Sequence, residues 1–284
     1  MGQSVEAQRH GMLAPMVAGP PKETFPVPPA VLSVAAGRLV HLVWRNEHGG
    51  LTYEVGTGTD RCFCKWSPST SPVDPQAERA RLGWASSFSA VPQVLDHGAN
   101  AAGSWFVTAA LPGENAMSGR WKSDASAVVR ACAVGLRRFH DRLPVESCPF
   151  SASVEVRVAE LRRRSASGKL LRANWHPSHR GFEVHQVLTR LAAPPPIDRA
   201  VVCHGDATTP NTLIDDEFNC SGHVDLVALG VADRWSDLAI ATWSVQWCFG
   251  PGWEGAFLDA YGVAPDPERT RYYRLLWDLS RLAA

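Results

Sequence analysis

The chain has 284 residues and is 45% apolar, enough for a sizeable core in one large or two modest domains. Its 28 Lys and Arg balance its 28 Asp and Glu, which argues against a binder of nucleic acid or acidic membranes, since either needs a positive excess. No apolar run reaches the length of a membrane span, and no basic-then-apolar leader pattern is present. Seven cysteines without CxxC pairs suit a reduced, cytoplasmic protein whose thiols are small core residues.

Residues 1–25 contain Pro20-Pro21 and no sustained periodicity, and read as an N-terminal tail or arm. Ala30 to Ala36 suits a short helix ended by Gly37. Leu42-Val43-Trp44, Leu51 to Val55 and Arg61 to Trp66 read as strands. The turn between the first two, RNEHGG, is polar and ends in glycine, so backbone N–H groups at Asn46, Gly49 and Gly50 can approach an anion closely. The P-loop pattern GxxxxGK[ST] is absent throughout. Lys65 lies amid apolar strand neighbours and needs a partner or a ligand. Residues 74–85 read as a helix with Asp74 as N-cap, Pro75 at its first position and Glu78 in its first turn. Val91 to His97 and Trp105 to Thr108 read as further strands, followed by a connector, Ala109 to Gly113.

Ser123 to Leu143 carries apolar residues at helical spacing and can be capped by Ser123 or Asp124. His140, near its C-terminal end, reads as structural. Val154 to Leu171 is a second helical stretch whose Arg162-Arg163-Arg164 run suits a solvated face. Residues 172–182 read as a polar loop and Glu183 to Leu191 as a helix stopped by Pro194-Pro195-Pro196.

The most informative stretch runs from Val201 to Leu238. Val201-Val202-Cys203 reads as a buried strand, then His204-Gly205-Asp206, four residues, and Asn211. Thr212-Leu213-Ile214 reads as a second strand, and a turn at Asp215 to Asn219 joins it to a third, His223 to Leu226. Two short strands thereby gather Asp206, Asn211 and Asp225 near one point. Phosphoryl transfer in protein kinases needs this arrangement: one Asp accepts a hydroxyl proton, while an Asn and a second Asp hold magnesium on the nucleotide phosphates. Helices follow at Arg234 to Gln246, Glu254 to Tyr261 and Pro267 to Leu282, with aromatic residues Trp243, Trp247, Phe249 and Trp253 clustered around Gly250-Pro251-Gly252.

The H-G-D-x-x-x-x-N spacing, continued through Leu229 to Arg234 and Ser236 to Ala239, resembles the aminoglycoside phosphotransferases. The resemblance implies an α+β, protein-kinase-like fold in two lobes. A small antiparallel-sheet lobe with one helix would span 26–108, a connector 109–113, and a larger helical lobe 114–284. It further implies that Asp206 is catalytic, that Asn211 and Asp225 bind Mg2+, and that Lys65 with Glu78 orients the phosphates of ATP under the RNEHGG loop, with GTP left open. Adenine would meet the Ala109 carbonyl and the Leu111 amide. Asp237 would brace the catalytic loop from behind. Cys148-Pro149-Phe150 is similar to the 3'- and 3''-phosphotransferases of the family. The family's C-terminal helix touches drug amines through acids, and the matching acid is Asp278. The implied partner is a small aminoglycoside, bound by a chain expected to be monomeric with a dimer left open.

Two departures qualify the match. Val227-Ala228 stands where members carry Gly-Arg, which removes a cation close to the phosphates. Trp247-Cys248-Phe249 stands where many members cluster acids. Trp247 would instead stack on planar cationic groups, which favours the streptomycin 3''-hydroxyl over a kanamycin- or neomycin-type 3' reaction. A kinase of another hydroxyl compound and an inactive nucleotide-binding protein are the other readings.

Overall fold

The computed structural model describes residues 25–46, 48–73, 75–121 and 123–280, and its N-terminal part is built on an antiparallel sheet. The expected N-terminal arm and the Asp74 cap lie outside the described residues. Helix α1 (Pro29–Ala35) precedes strands β1 (Val40–Arg45), β2 (Leu51–Val55) and β3 (Cys62–Pro68). Helix α2 (Pro75–Ala85) follows, then β4 (Val94–Asn100) and β5 (Gly103–Ala109), in the spatial order β1-β2-β3-β5-β4.

Side chains alternate across each strand, so the sheet has two distinct faces. One face gathers Tyr53, Val55, Cys62, Cys64 and Val107 against Val31 and Ala35 of α1. Cys62 and Cys64, two residues apart on β3, therefore face the same side. The opposite face carries Lys65, directly across from Phe106 of β5. Helix α2 packs there through Leu82, which joins Phe106 in a second apolar cluster. That cluster continues into Phe139, Leu143, Val202, Leu226 and Leu229, so it welds the small lobe to the catalytic strands of the large one.

The large lobe is mainly helical: α3 (Ala125–Arg142), α4 (Val154–Ala166), α5 (Val184–Leu191), α6 (Trp235–Phe249), α7 (Trp253–Tyr261) and α8 (Pro267–Ser280). Asp124 caps α3 by accepting from the Ala127 N–H at 3.0 Å. Its buried stripe, Val128, Val129, Cys132, Leu136 and Phe139, follows the spacing of a helix buried on one side. Helix α6 is buried at every residue from Trp235 to Val245, because α3, α7 and α8 enclose it. Helix α4 is shorter than the sequence suggests; the chain leaves it at Ser167 and Gly168, the latter at a φ of +68° that favours glycine.

Short strands lie between these helices. β6 (Glu114–Asn115) pairs with β8 (Thr212–Ile214), which pairs with β9 (Cys220–His223). β7 (Ala200–Cys203) pairs with β10 (Gly230–Asp233). One expectation is corrected here. The third catalytic strand is Cys220–His223 rather than residues 223–226, because it starts directly after the turn at Asp215 to Asn219. Asp225 therefore sits in a loop just past β9, at a φ of +66°. Strand β10 has no clear sequence signal; pairing with β7 creates it.

Candidate active site

The catalytic loop leaves β7 at His204 and is held from behind by one buried carboxylate. Asp237, in the first turn of α6, accepts the His204 N–H at 2.6 Å through Oδ2 and the Gly205 N–H at 2.9 Å through Oδ1. Its Oδ2 also meets His140 Nε2 at 2.9 Å, and His140 Nδ1 meets the Tyr261 hydroxyl at 2.8 Å. Burial alone would raise the Asp237 carboxyl, but the His140 contact and the Gly205 amide outweigh it and hold the group ionised. Asp237 is thus the brace expected from the sequence, and His140 is structural. Gly205 has a φ of +84°, and a Cβ there would lie 2.3 Å from the Ala228 carbonyl oxygen, so this turn needs glycine. His204 donates from Nε2 to the Val224 carbonyl at 2.9 Å, which assigns Nδ1 as acceptor for the Asp206 N–H at 3.3 Å. One imidazole therefore ties the Asp206 loop to the segment bearing Asp225.

The three residues singled out by spacing converge. Asn211 Nδ2 donates to the Asp206 backbone carbonyl at 2.9 Å and to its carboxylate Oδ2 at 3.0 Å. That spends the amide nitrogen and leaves Asn211 Oδ1 for a cation. Asp225 Oδ1 lies 2.9 Å from Lys65 Nζ, and the same ammonium lies 2.7 and 2.8 Å from the two oxygens of Glu78. The strand lysine and helix glutamate pair as the resemblance implies, with Glu78 only 5% exposed. Burial works against the Lys65 ammonium, yet Asp225 and Glu78 more than compensate and keep it charged. Burial likewise opposes the Asp225 carboxylate, and Lys65 reverses the effect and holds the group below its usual range. Among the described residues Asp206 has no salt-bridge partner. Burial first, then the neighbouring Asp225 charge, push its carboxyl up to about 6.

On the nucleotide side the glycine-ended loop is closed on itself. Asn46 Oδ1 accepts the His48 N–H at 3.0 Å and the Gly50 N–H at 2.7 Å. Asn46 N–H bonds the Gly50 carbonyl at 2.9 Å, and Gly49 N–H bonds the Asn46 carbonyl at 3.2 Å. The loop amides of Asn46, Gly49 and Gly50 are thus satisfied within the turn rather than turned outward, because an asparagine at its first position supplies a local acceptor. In the connector, Ala109 N–H bonds the Gln93 carbonyl at 2.9 Å and the Leu111 carbonyl accepts from Arg61 at 3.3 Å. The Ala109 carbonyl and Leu111 amide, the two groups assigned to adenine, are not the ones these bonds consume.

Beyond Asp206, on the side of α8, the surroundings are aromatic. Trp277 of α8 donates its indole N–H to Asp206 Oδ1 at 3.2 Å. Its ring lies 6.0 Å from Trp247, which lies 4.8 Å from Trp243. His176 closes the group, 4.5 Å from Trp243 and stacked 6.3 Å from Trp247. Trp247 thus lies in one aromatic group with Trp277, which contacts Asp206. Asp278 differs from expectation. Its carboxylate is 3% exposed and accepts the His176 N–H at 2.8 and 3.0 Å and contacts His179 Nδ1 at 2.7 Å. Successive residues on a helix point about 100° apart, so while Trp277 faces the catalytic loop, Asp278 faces the 176–179 segment. Sequence reading missed Trp277 and His176, whose only signal was adjacency to Asp278 and to the polar loop.

These features match known proteins over most of the chain. A family model described as the phosphotransferase enzyme family matches residues 45–273. The chain belongs to the aminoglycoside phosphotransferase family. It is 33% identical over 252 residues to an aminoglycoside 3'-phosphotransferase of Streptomyces fradiae, covering 83% of this chain and 93% of that one. It is also 33% identical over 253 residues to the streptomycin 3''-kinase of Streptomyces griseus, covering 81% and 88%. Aminoglycoside phosphotransferase APH(3'')-Id of Streptomyces rimosus, solved with ADP and streptomycin, superposes with a TM-score of 0.69 at 27% identity, covering 89% of this chain and 97% of that one. The fold is the two-lobed α+β kinase-like one, and the chain is a kinase that transfers phosphate to a hydroxyl group. Among the described residues no helix is long and apolar enough to cross a membrane.

Proposed function

We propose that the protein moves the γ-phosphoryl group of ATP to a hydroxyl of an aminoglycoside, with the streptomycin 3''-hydroxyl the favoured acceptor, and so confers resistance to the drug. One observation carries the reading: the Asp206 carboxylate is fixed by Asn211 beside an Asp225–Lys65–Glu78 chain of charge. Asp206 accepts the hydroxyl proton as the oxygen attacks in line, and its raised carboxyl makes it a stronger base than an ordinary aspartate. Lys65, held by Glu78, sets the phosphates. Ala228 supplies no guanidinium near them, so positioning and Lys65 carry more of the work than in members with arginine there.

Asn211 Oδ1 and the Asp225 carboxylate are hard oxygen donors and fit Mg2+. The ion, when bound, neutralises phosphate charge.

The aromatic group at His176, Trp243, Trp247 and Trp277 supports streptomycin over kanamycin-type drugs. Guanidinium groups stack on indole faces, whereas a drug with many ammonium groups needs carboxylates. The nearby acid Asp278 is already committed to His176 and His179. ATP consumption measured with streptomycin, kanamycin, neomycin and drug-free controls tests the proposal. Turnover with streptomycin above the others supports it; turnover only with non-aminoglycoside alcohols, or nucleotide binding without turnover, overturns it.

A further inference from the structure

We propose that Trp277 is a positioning residue for the catalytic base: its indole N–H fixes the orientation of the Asp206 carboxylate toward the acceptor hydroxyl. The proposal rests on the assignment of Asp206 as base. Two donors hold that carboxylate, one on each oxygen: Asn211 Nδ2 on Oδ2 at 3.0 Å and Trp277 Nε1 on Oδ1 at 3.2 Å. They come from separate parts of the chain, 5 and 71 residues away. A planar carboxylate pinned at both oxygens cannot rotate about its Cβ–Cγ bond without losing a hydrogen bond. Such preorganisation raises the rate only if the fixed orientation suits the transition state.

The two donors are not equivalent. Asn211 is also the residue whose amide oxygen is placed for the cation, so its orientation serves two partners. Trp277 donates to the other oxygen of the base. Its ring is itself fixed. It is half-buried, it lies 6.0 Å from Trp247, and the next residue, Asp278, anchors the same turn of α8 to the 176–179 segment through His176 and His179. The residue pair Trp277-Asp278 therefore links two things that must stay in register, the base and the aromatic wall that seats the acceptor. A phenylalanine in place of Trp277 would keep most of the wall and lose the donor. An aspartate or leucine would lose both.

The test separates ring from N–H. Benzothienylalanine, which replaces the indole N–H by sulfur at nearly constant shape, is introduced at 277 by codon suppression. Steady-state kinetics with the best acceptor of the drug panel should show kcat lowered about tenfold, the scale of one hydrogen bond to a charged group. The KM for the acceptor and the Kd for ATP should stay within about twofold, and the melting temperature should not change. Wild-type kcat in that isostere overturns the proposal and leaves Trp277 as packing only. Equal losses in kcat, ATP affinity and melting temperature overturn it as well.

A second readout needs no turnover, so it stands even if no aminoglycoside proves to be a substrate. The indole N–H resonance of Trp277, assigned by its disappearance in Trp277→Phe, should move upfield in Asp206→Ala as its acceptor is removed. An unmoved resonance overturns the proposal. Absence of drug turnover with a moved resonance overturns the functional reading while sustaining the contact.

Discussion

The two sides of the catalytic loop are built from different materials. Toward the nucleotide lie charges in a chain, Glu78, Lys65 and Asp225, each within 3 Å of the next. Toward the proposed acceptor lie rings: His176, Trp243, Trp247 and Trp277. The nucleotide side handles the same triphosphate in every kinase, so its chemistry is fixed by charge and allows few residue types. The acceptor side must fit one small molecule, so its surface follows the shape of that molecule. Asp206 sits at the seam and takes one hydrogen bond from each side, Asn211 on one oxygen and Trp277 on the other.

The sharpest test of that seam is Asp206→Asn. It keeps the shape but removes the proposed base, and its single amide oxygen can accept from only one of Asn211 and Trp277. Turnover should fall about a thousandfold. ATP affinity, measured by calorimetry or by thermal shift with nucleotide, should remain within a few-fold, because Lys65, Glu78 and Asp225 are untouched. If ATP binding collapses together with turnover, the two sides are not separable and the comparison fails.

The back of the loop gives the next largest effect. Asp237 is fully buried and serves His140 and the two amides of His204 and Gly205 at once. Asp237→Ala strands all three donors in the interior, and stability should drop by about 3 kcal/mol. Urea unfolding followed by tryptophan fluorescence measures it. A loss well under 1 kcal/mol would mean that the brace is dispensable and that the loop is held from the cleft side instead.

How legible each side was follows from the same contrast. Lys65 stood out as a lysine inside an apolar strand, Glu78 as a first-turn acid, and Asp206, Asn211 and Asp225 by spacing alone. A charge buried against sequence pattern is conspicuous because its presence needs a reason. The N-terminal strands and the helices were readable for a similar cause: alternation in β2 and the apolar stripe of α3 are local. Strand β10 was not readable, since its conformation comes from pairing with β7 about thirty residues earlier. The loop amides of Asn46, Gly49 and Gly50 were placed toward the phosphates by residue type, but acceptors within the turn are nearer: the Asn46 side chain for Gly50, and the Gly50 and Asn46 carbonyls for Asn46 and Gly49. The acceptor wall was only partly readable. His176, Trp247 and Trp277 lie on three separate elements, and nothing local records that a loop and two helices meet there. Asp278 was assigned to the drug because it is an acid in the right helix. One residue of helical rotation, about 100°, turns it to His176 and His179 instead.

A smaller effect comes from a group that belongs to neither side. His223 ends β9 and is 4% exposed, with Phe139 and His204 against its ring. Burial first, and then the nearby His204, lower its imidazole from 6.5 to about 3, so it is neutral in the fold. In the unfolded chain it takes up a proton near pH 6.5, so acid favours unfolding. Its contribution is intact above that pH and is lost progressively as the pH falls toward 3. Between pH 6.5 and about pH 5 the single group should cost about 2 kcal/mol. His223→Gln should flatten the wild-type decline in urea midpoint by that amount over the same range. Parallel declines in the two proteins would show that His223 stays accessible to protons in the folded state.

The smallest expected effect bears most directly on the acceptor side. Trp247 is half-buried, with Trp243 at 4.8 Å and Trp277 at 6.0 Å. Trp247→Ala removes a stacking face worth about 1 kcal/mol toward a guanidinium group. The KM for streptomycin should rise about five- to tenfold, while the KM for ATP and the melting temperature change little. An ammonium-rich drug such as kanamycin gains less from an indole face, so its kinetics should change by less than those of streptomycin. The ratio of the two KM changes is therefore the informative quantity. A ratio near one would mean that Trp247 supports the pocket without reading the acceptor. A rise in the KM for ATP equal to that for the drug would place Trp247 across the seam, and the division of the site into a charged half and an aromatic half would have to be redrawn around it.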